Sequence, residues 1–294
     1  MINFRYHVVS IIGIFIALAV GVVLGAGPLQ RSINAGMNPS SSQAASDPVL
    51  SAQAEAEAAG LKALASSTLA GSLTGTSVAL VVLPGASDDD VAAIRSTLTD
   101  AGASVVGRVT LTDNWQSTSM SQYRTTLATT LASHLESGAA KTASADGVVG
   151  YSIVQVLTST GAETDLLRQI LTDKSTPLMT IDEDPAGKAT TLVAVGARAQ
   201  AATSTQAAVA ASSDAWIGLG LAVGSTSGVV VGDASSREAM ISQIRTSGTA
   251  VTTVDSVGTT LASVDTALAL STASNGARAY GVGNGAQSVI PSIK

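Results

Sequence analysis

From Val8 to Ala26 the chain carries no charged side chain and a single hydroxyl, Ser10. A helix over such a stretch can cross about 30 Å of hydrocarbon, so the segment forces a choice between a membrane span and a leader before any other question of fold arises. Arg5 and His7 precede it, whereas Asp47, Glu55 and Glu57 lie beyond Arg31 on the other side. That bias places the N-terminus inside and the rest of the chain outside. The expected topology is a cytoplasmic N-terminus over 1–7, a transmembrane helix over 8–27, and an extracytoplasmic remainder held to the cell membrane by a single pass. A cleaved signal peptide is the rival. The apolar run exceeds the usual length of about 7 to 15 residues, and Leu24 suits a cut after Ala26 poorly, although a cut after Gly25 is more tolerable. Gly13, Ala17, Gly21 and Gly25 recur every fourth residue and share one helix face. Small residues there let two backbones approach, which predicts self-association and a homodimer.

Beyond this segment the composition narrows the function more than the fold. The chain is 46% hydrophobic but only 3% aromatic, so its core must be built from small aliphatic side chains. Such cores favour close packing of helices and sheet over deep ligand pockets. A formal net charge of -6, with 15 Lys plus Arg in the chain, leaves no basic surface for a phosphate backbone, and nucleic acid is excluded as a partner. No cysteine is present, which removes disulfides, thiolate metal sites and iron–sulfur clusters.

Gly27, Pro28, Gly36, Pro39, Pro48 and the serines from Ser40 to Ser42 break helices and read as a stalk. From Val49 to about Leu69 a helix is expected, with Leu50, Ala54, Leu61 and Leu64 on one seam. Glu57 and Gly60 weaken that seam as a coiled coil. The stalk is taken as 28–75. From Ser77 the run Val78 to Leu83, then Pro84 and Gly85, then Ser87 with Asp88, Asp89 and Asp90, reads as strand, turn and capped helix. Further strands are expected near 104–109, 191–195, 228–231, 251–254 and 278–281. Helices are expected near 121–135, 148–171 with a break at Gly161, 199–223, 235–247 and 258–274. This alternation predicts an α/β domain over 76–294, a three-layer, mostly parallel sheet covered by helices.

Chemistry is sparse. No G-x-S-x-G elbow occurs, and beyond the first segment the only histidine is His134, late in an expected helix where a cation suits the dipole. No catalytic residue is assigned and no enzymatic chemistry is expected. Gly281, Val282, Gly283, Asn284, Gly285 and Ala286 satisfy a G-x-G-x-x-A phosphate turn after a strand, but the residues after Ala286, Pro291 among them, leave no room for the helix that would hold a pyrophosphate. The stretch is read instead as a closing turn or a partner-contacting loop built on Gly281, Gly283, Asn284 and Gly285. Asp182, Glu183 and Asp184 are read as a loop without calcium-site spacing, and Asp233 as the N-cap of the next helix. Met37, Met120, Met179 and Met240 are isolated in sequence, so no local set of soft donors for Cu(I) exists.

The run from Phe4 to Ser10, continued from Phe15 to Gly25, closely resembles the opening of the actinobacterial MctB copper transporter family, and the tail from Gly281 to Pro291 is similar to that family's ending. The resemblance implies an envelope protein with a role in copper homeostasis or efflux. It extends to SteB-like corynebacterial envelope proteins, which implies as an alternative a dimeric scaffold in cell division that couples a SteA-like membrane protein to a cell-wall hydrolase. It brings no ligand set and no cofactor onto residues of this chain. Copper would be handled only through an oligomer or a partner.

Overall fold

The computed structural model describes residues 48–199, 210–273 and 276–292. The chain divides into two compact units, Met1–Glu55 and Ala56–Lys294. In the first, the described residues are the opening turns of helix α1, Pro48–Leu69. In the second, the closing turns of α1 pack through Leu61, Ala65 and Leu69, spaced four apart on one face. Leu64, about 100° round the helix from Ala65, is exposed, as is Leu50. Of the expected seam through Leu50, Ala54, Leu61 and Leu64, only Leu61 joins this packing.

The sheet has seven strands in the order β3-β2-β1-β4-β5-β6-β7. They are β1 (Ser77–Val82), β2 (Ser104–Leu111), β3 (Met179–Glu183), β4 (Thr191–Val195), β5 (Val229–Val231), β6 (Thr252–Val254) and β7 (Ala279–Tyr280). All neighbouring pairs are parallel except β2 with β3. Strand β3 escapes sequence reading because it is short, lies between Pro177 and Pro185, and exposes Thr180, Asp182 and Glu183 at the sheet edge.

Helices cover both faces. In β1, Ala79 and Val81 enter one core with α3 (Ser121–His134), α4 (Ala145–Thr158), α5 (Ala162–Leu171), α6 (Ser213–Gly224) and α7 (Met240–Thr246). Val78, Leu80 and Val82 enter the other with α1, α2 (Asp88–Asp100) and α8 (Thr260–Ser271). A strand buried on both faces reads as an unbroken apolar run, which is why β1 and β4 are plain in sequence. The shortage of bulky side chains shows where α4 meets α6, since a Cβ on Gly150 would lie 2.6 Å from the Gly218 carbonyl oxygen. Helix α2 starts as its sequence suggests, with the Ser87 hydroxyl accepting from the Asp89 amide and three aspartates in the first turn. The expected break at Gly161 is also present, with φ of 127° between α4 and α5.

The α/β reading stands, as a mixed sheet with surrounding helices. The single-pass membrane reading, with its membrane anchoring and its extracytoplasmic placement of the domain, is corrected. Among the described residues no helix is long and apolar enough to cross a membrane. Helix α1 has the length but carries Glu55, Glu57 and Lys62, whereas the apolar helices α4 and α8 have 14 and 12 residues, too few for about 30 Å of hydrocarbon. The segment expected to span, 8–27, and its stripe Gly13, Ala17, Gly21 and Gly25 lie outside the described residues.

Candidate functional site

Strand β1 pairs with β2 on one side and with β4 on the other, so chain direction across the sheet reverses between β1 and β4. The carboxyl ends of two such strands diverge into the crevice where open α/β sheets place ligands. Here the crevice receives Asp90 from the first turn of α2 and Arg198 from the segment after β4. Arg198 donates from Nε and Nη2 to the two Asp90 oxygens at 2.7 and 2.5 Å. The carboxylate is buried while the guanidinium is half exposed. Gly258, with φ of 90°, lies against Arg198, and a Cβ there would overlap the guanidinium. The adjoining recess of about 220 Å³ runs between α1, α2 and the start of α8, with Lys62, Asp89, Asp100 and Arg198 among its charged lining.

A second constellation lies further along the same edge. Asp255, immediately after β6, is 1% exposed and faces Arg245 of α7, which is 6% exposed. Its oxygens accept from the Arg245 Nη1 at 2.9 Å, the Ser256 hydroxyl at 2.7 Å, and the amides of Val282 and Gly283 at 2.9 Å each. Arg245 also donates to Thr253 Oγ1 and to the carbonyls of Tyr280 and Asn284. Burial pushes the Asp255 carboxyl up, but the donors from Ser256, Val282, Gly283 and Arg245 together overcome it and hold the group below its ordinary range. On α8, Asp265 is fully buried, and neither carboxylate oxygen has a hydrogen-bond partner. Burial, reinforced by the Asp255 charge, pushes it up to about 7.

The glycine-rich turn is thereby explained. The backbone amides that a phosphate turn would offer to a ligand are taken by an internal carboxylate, and Gly281, with φ of 121°, leaves no space for a Cβ beside Asp255. Gly283 lies against Ala234, the Asn284 amide donates to the Ala234 carbonyl, and Gly285 stands over the Arg245 side chain. What these residues leave on the surface is the side chain of Val282, 69% exposed, beside the exposed Val289 and Ile290.

Other sequence candidates are placed elsewhere. Asp182 and Glu183 belong to β3 rather than to a loop, and each acid of the triplet meets an arginine: Asp182 meets Arg108, Glu183 is held by Arg95 from both nitrogens, and Asp184 by Arg168. Asp233 binds the amide and hydroxyl of Ser235 in a turn, and α7 begins only at Met240, so it does not cap that helix. His134 ends α3 and contacts Glu163 at 2.6 Å. Met179 and Met240 are buried in the core, and Met37 lies outside the described residues. Among the described residues no group of three or more His, Cys, Asp or Glu could hold a metal ion. Sequence reasoning passed over Arg198, Arg245, Asp255 and Asp265. The available signal was Asp265, a lone acid within the otherwise uncharged helix segment from Thr260 to Ser271.

A family model described as "Copper transport outer membrane protein, MctB" matches residues 1–291. Among curated proteins none matches the chain.

Proposed function

Since this chain belongs to the MctB family, we propose that it serves copper transport as a recognition domain, with no enzymatic chemistry of its own. The family match over residues 1–291 carries this reading. The chemistry of the described side chains supports the division of labour. The acids of the β3 edge and Asp90 of the crevice are engaged by arginines, His134 is engaged by Glu163, and two thioethers are packed in the core. Such donors do not converge as the soft ligands that Cu(I) requires. Copper is then cargo of an assembly, and this chain contributes contacts. We place those contacts at the carboxyl edge, where buried Asp90 orients the half-exposed Arg198 into a recess.

A strain lacking the chain should accumulate copper and grow poorly in copper-supplemented medium, with both defects restored by the wild-type gene. Restoration should be weaker with Arg198→Gln. Unchanged copper content in the deletion strain would sink the transport role, and full restoration by Arg198→Gln would move the contacts away from the crevice.

A further inference from the structure

Where the chain returns past β7 it borders a recess of about 290 Å³ whose charged lining is Arg245 and Arg278, with no acid among the lining residues. Three elements bring donors to it. Arg278, just before β7, is exposed, and its guanidinium has no partner among the described residues. Gln287, on the returning chain, accepts from the Ala279 amide at Oε1, which fixes the side-chain amide and leaves Nε2 to donate. Arg245 of α7 is 6% exposed. It commits its N–H groups to Thr253, Asp255, Asn284 and Tyr280 and keeps one over on Nη2.

The acceptors nearby are engaged. Asp255 is enclosed by its four donors, and the last carbonyls of α7 are taken by the Ser247 amide and hydroxyl and by the Gly248 amide. Burial pushes the Arg245 guanidinium down by more than Asp255 raises it, so its own acid compensates this cation incompletely. The sequence has the same bias. Beyond Asp265 the chain carries no acidic side chain, and its charged residues there are Arg278 and Lys294.

We propose that this recess binds a phosphate group, free or carried by a larger molecule, with Arg278 as the principal contact and Gln287 and Arg245 behind it. The donor arrangement selects the class. A carboxylate offers two oxygens in one plane, and a single guanidinium fork occupies both. A tetrahedral oxyanion keeps further oxygens for donors that arrive from other elements. Ala250 and Val251 at the entry to β6 and Ala277 before β7 line the recess, whereas the Arg198 crevice lies at the exits of β1 and β4. The two sites are therefore separate, and this one stands whatever the crevice contacts.

Inorganic phosphate, glycerol phosphate and acetate, each titrated into the full chain and followed by backbone amide NMR, test the site. Phosphate should give saturating shifts at Gly248, Ala279 and Gln287 and none at Val81 in the sheet centre, while acetate should bind far more weakly. Arg278→Gln should weaken phosphate binding by about tenfold or more. An unchanged signal from Val81 in that variant reports that it has folded. Saturation by glycerol phosphate alone would support the site as one for the phosphate of a larger molecule. No saturable shift with either phosphate at millimolar concentration, equal affinity for acetate, or unchanged affinity in Arg278→Gln would overturn the proposal.

Discussion

Two acidic groups of this domain invite comparison, the strip Asp182, Glu183 and Asp184 on the edge of the sheet and the pair Asp255 and Asp265 inside it. In the strip each carboxylate meets a different arginine in or near solvent, and hydrogen bonds from Arg95 and Arg168 hold Glu183 and Asp184 below their ordinary range. In the interior Asp255 takes Arg245 and is enclosed by four donors, whereas Asp265 has none. Exposed pairs are screened and contribute little, whereas an unbalanced buried charge has several kcal/mol at stake. The number of ion pairs therefore says less about this fold than their position does.

The sharpest way to break the contrast is Arg245→Met, which leaves Asp255 buried without its cation. It should cost about 3–5 kcal/mol in urea unfolding, with protection at Val282 and Gly283 lost first. Next comes Asp265→Asn. Because the folded-state carboxyl is raised to about 7, wild-type stability should be fullest below the ordinary Asp range and fall as pH climbs towards 7. The variant should escape that fall and gain about 1–4 kcal/mol at neutral pH, measured by chemical denaturation across the pH range. A variant no more stable than wild type at neutral pH would show that Asp265 has a partner in solution. Gly281→Ala adds a Cβ against Asp255 at a positive φ and should cost about 1–3 kcal/mol by the same assay. Smallest is Glu183→Gln on the strip. Arg95 and Glu183 are 36% and 45% exposed, so the loss should stay under about 1 kcal/mol and shrink further in high salt.

Much of the architecture was legible because burial on both faces leaves runs such as Val78–Val82 and Leu192–Val195 uniformly apolar, while Ser87 and Gly161 mark helix boundaries by local geometry alone. Strand β3 was not, since an edge strand needs neither apolar alternation nor length once its partner supplies the hydrogen bonds. The candidate sites were legible in part. The glycine turn announced itself by spacing, yet the anion it binds comes from Asp255, 26 residues before Gly281, and a local motif carries no trace of such a partner. Arg198 and Asp90, likewise, meet only because β1 and β4 are neighbours, which is a property of sheet order.

Strand β7 contributes two residues to the sheet, and its other flank is closed by the returning chain through the bridge from Tyr280 to Ser288. Remove everything beyond Ser271 and the unsatisfied amides and carbonyls of Thr252–Val254 become the rim of the molecule, a short adhesive template open to the strands of other chains. Shortened versions of this protein should therefore clump in solution even where their core remains intact.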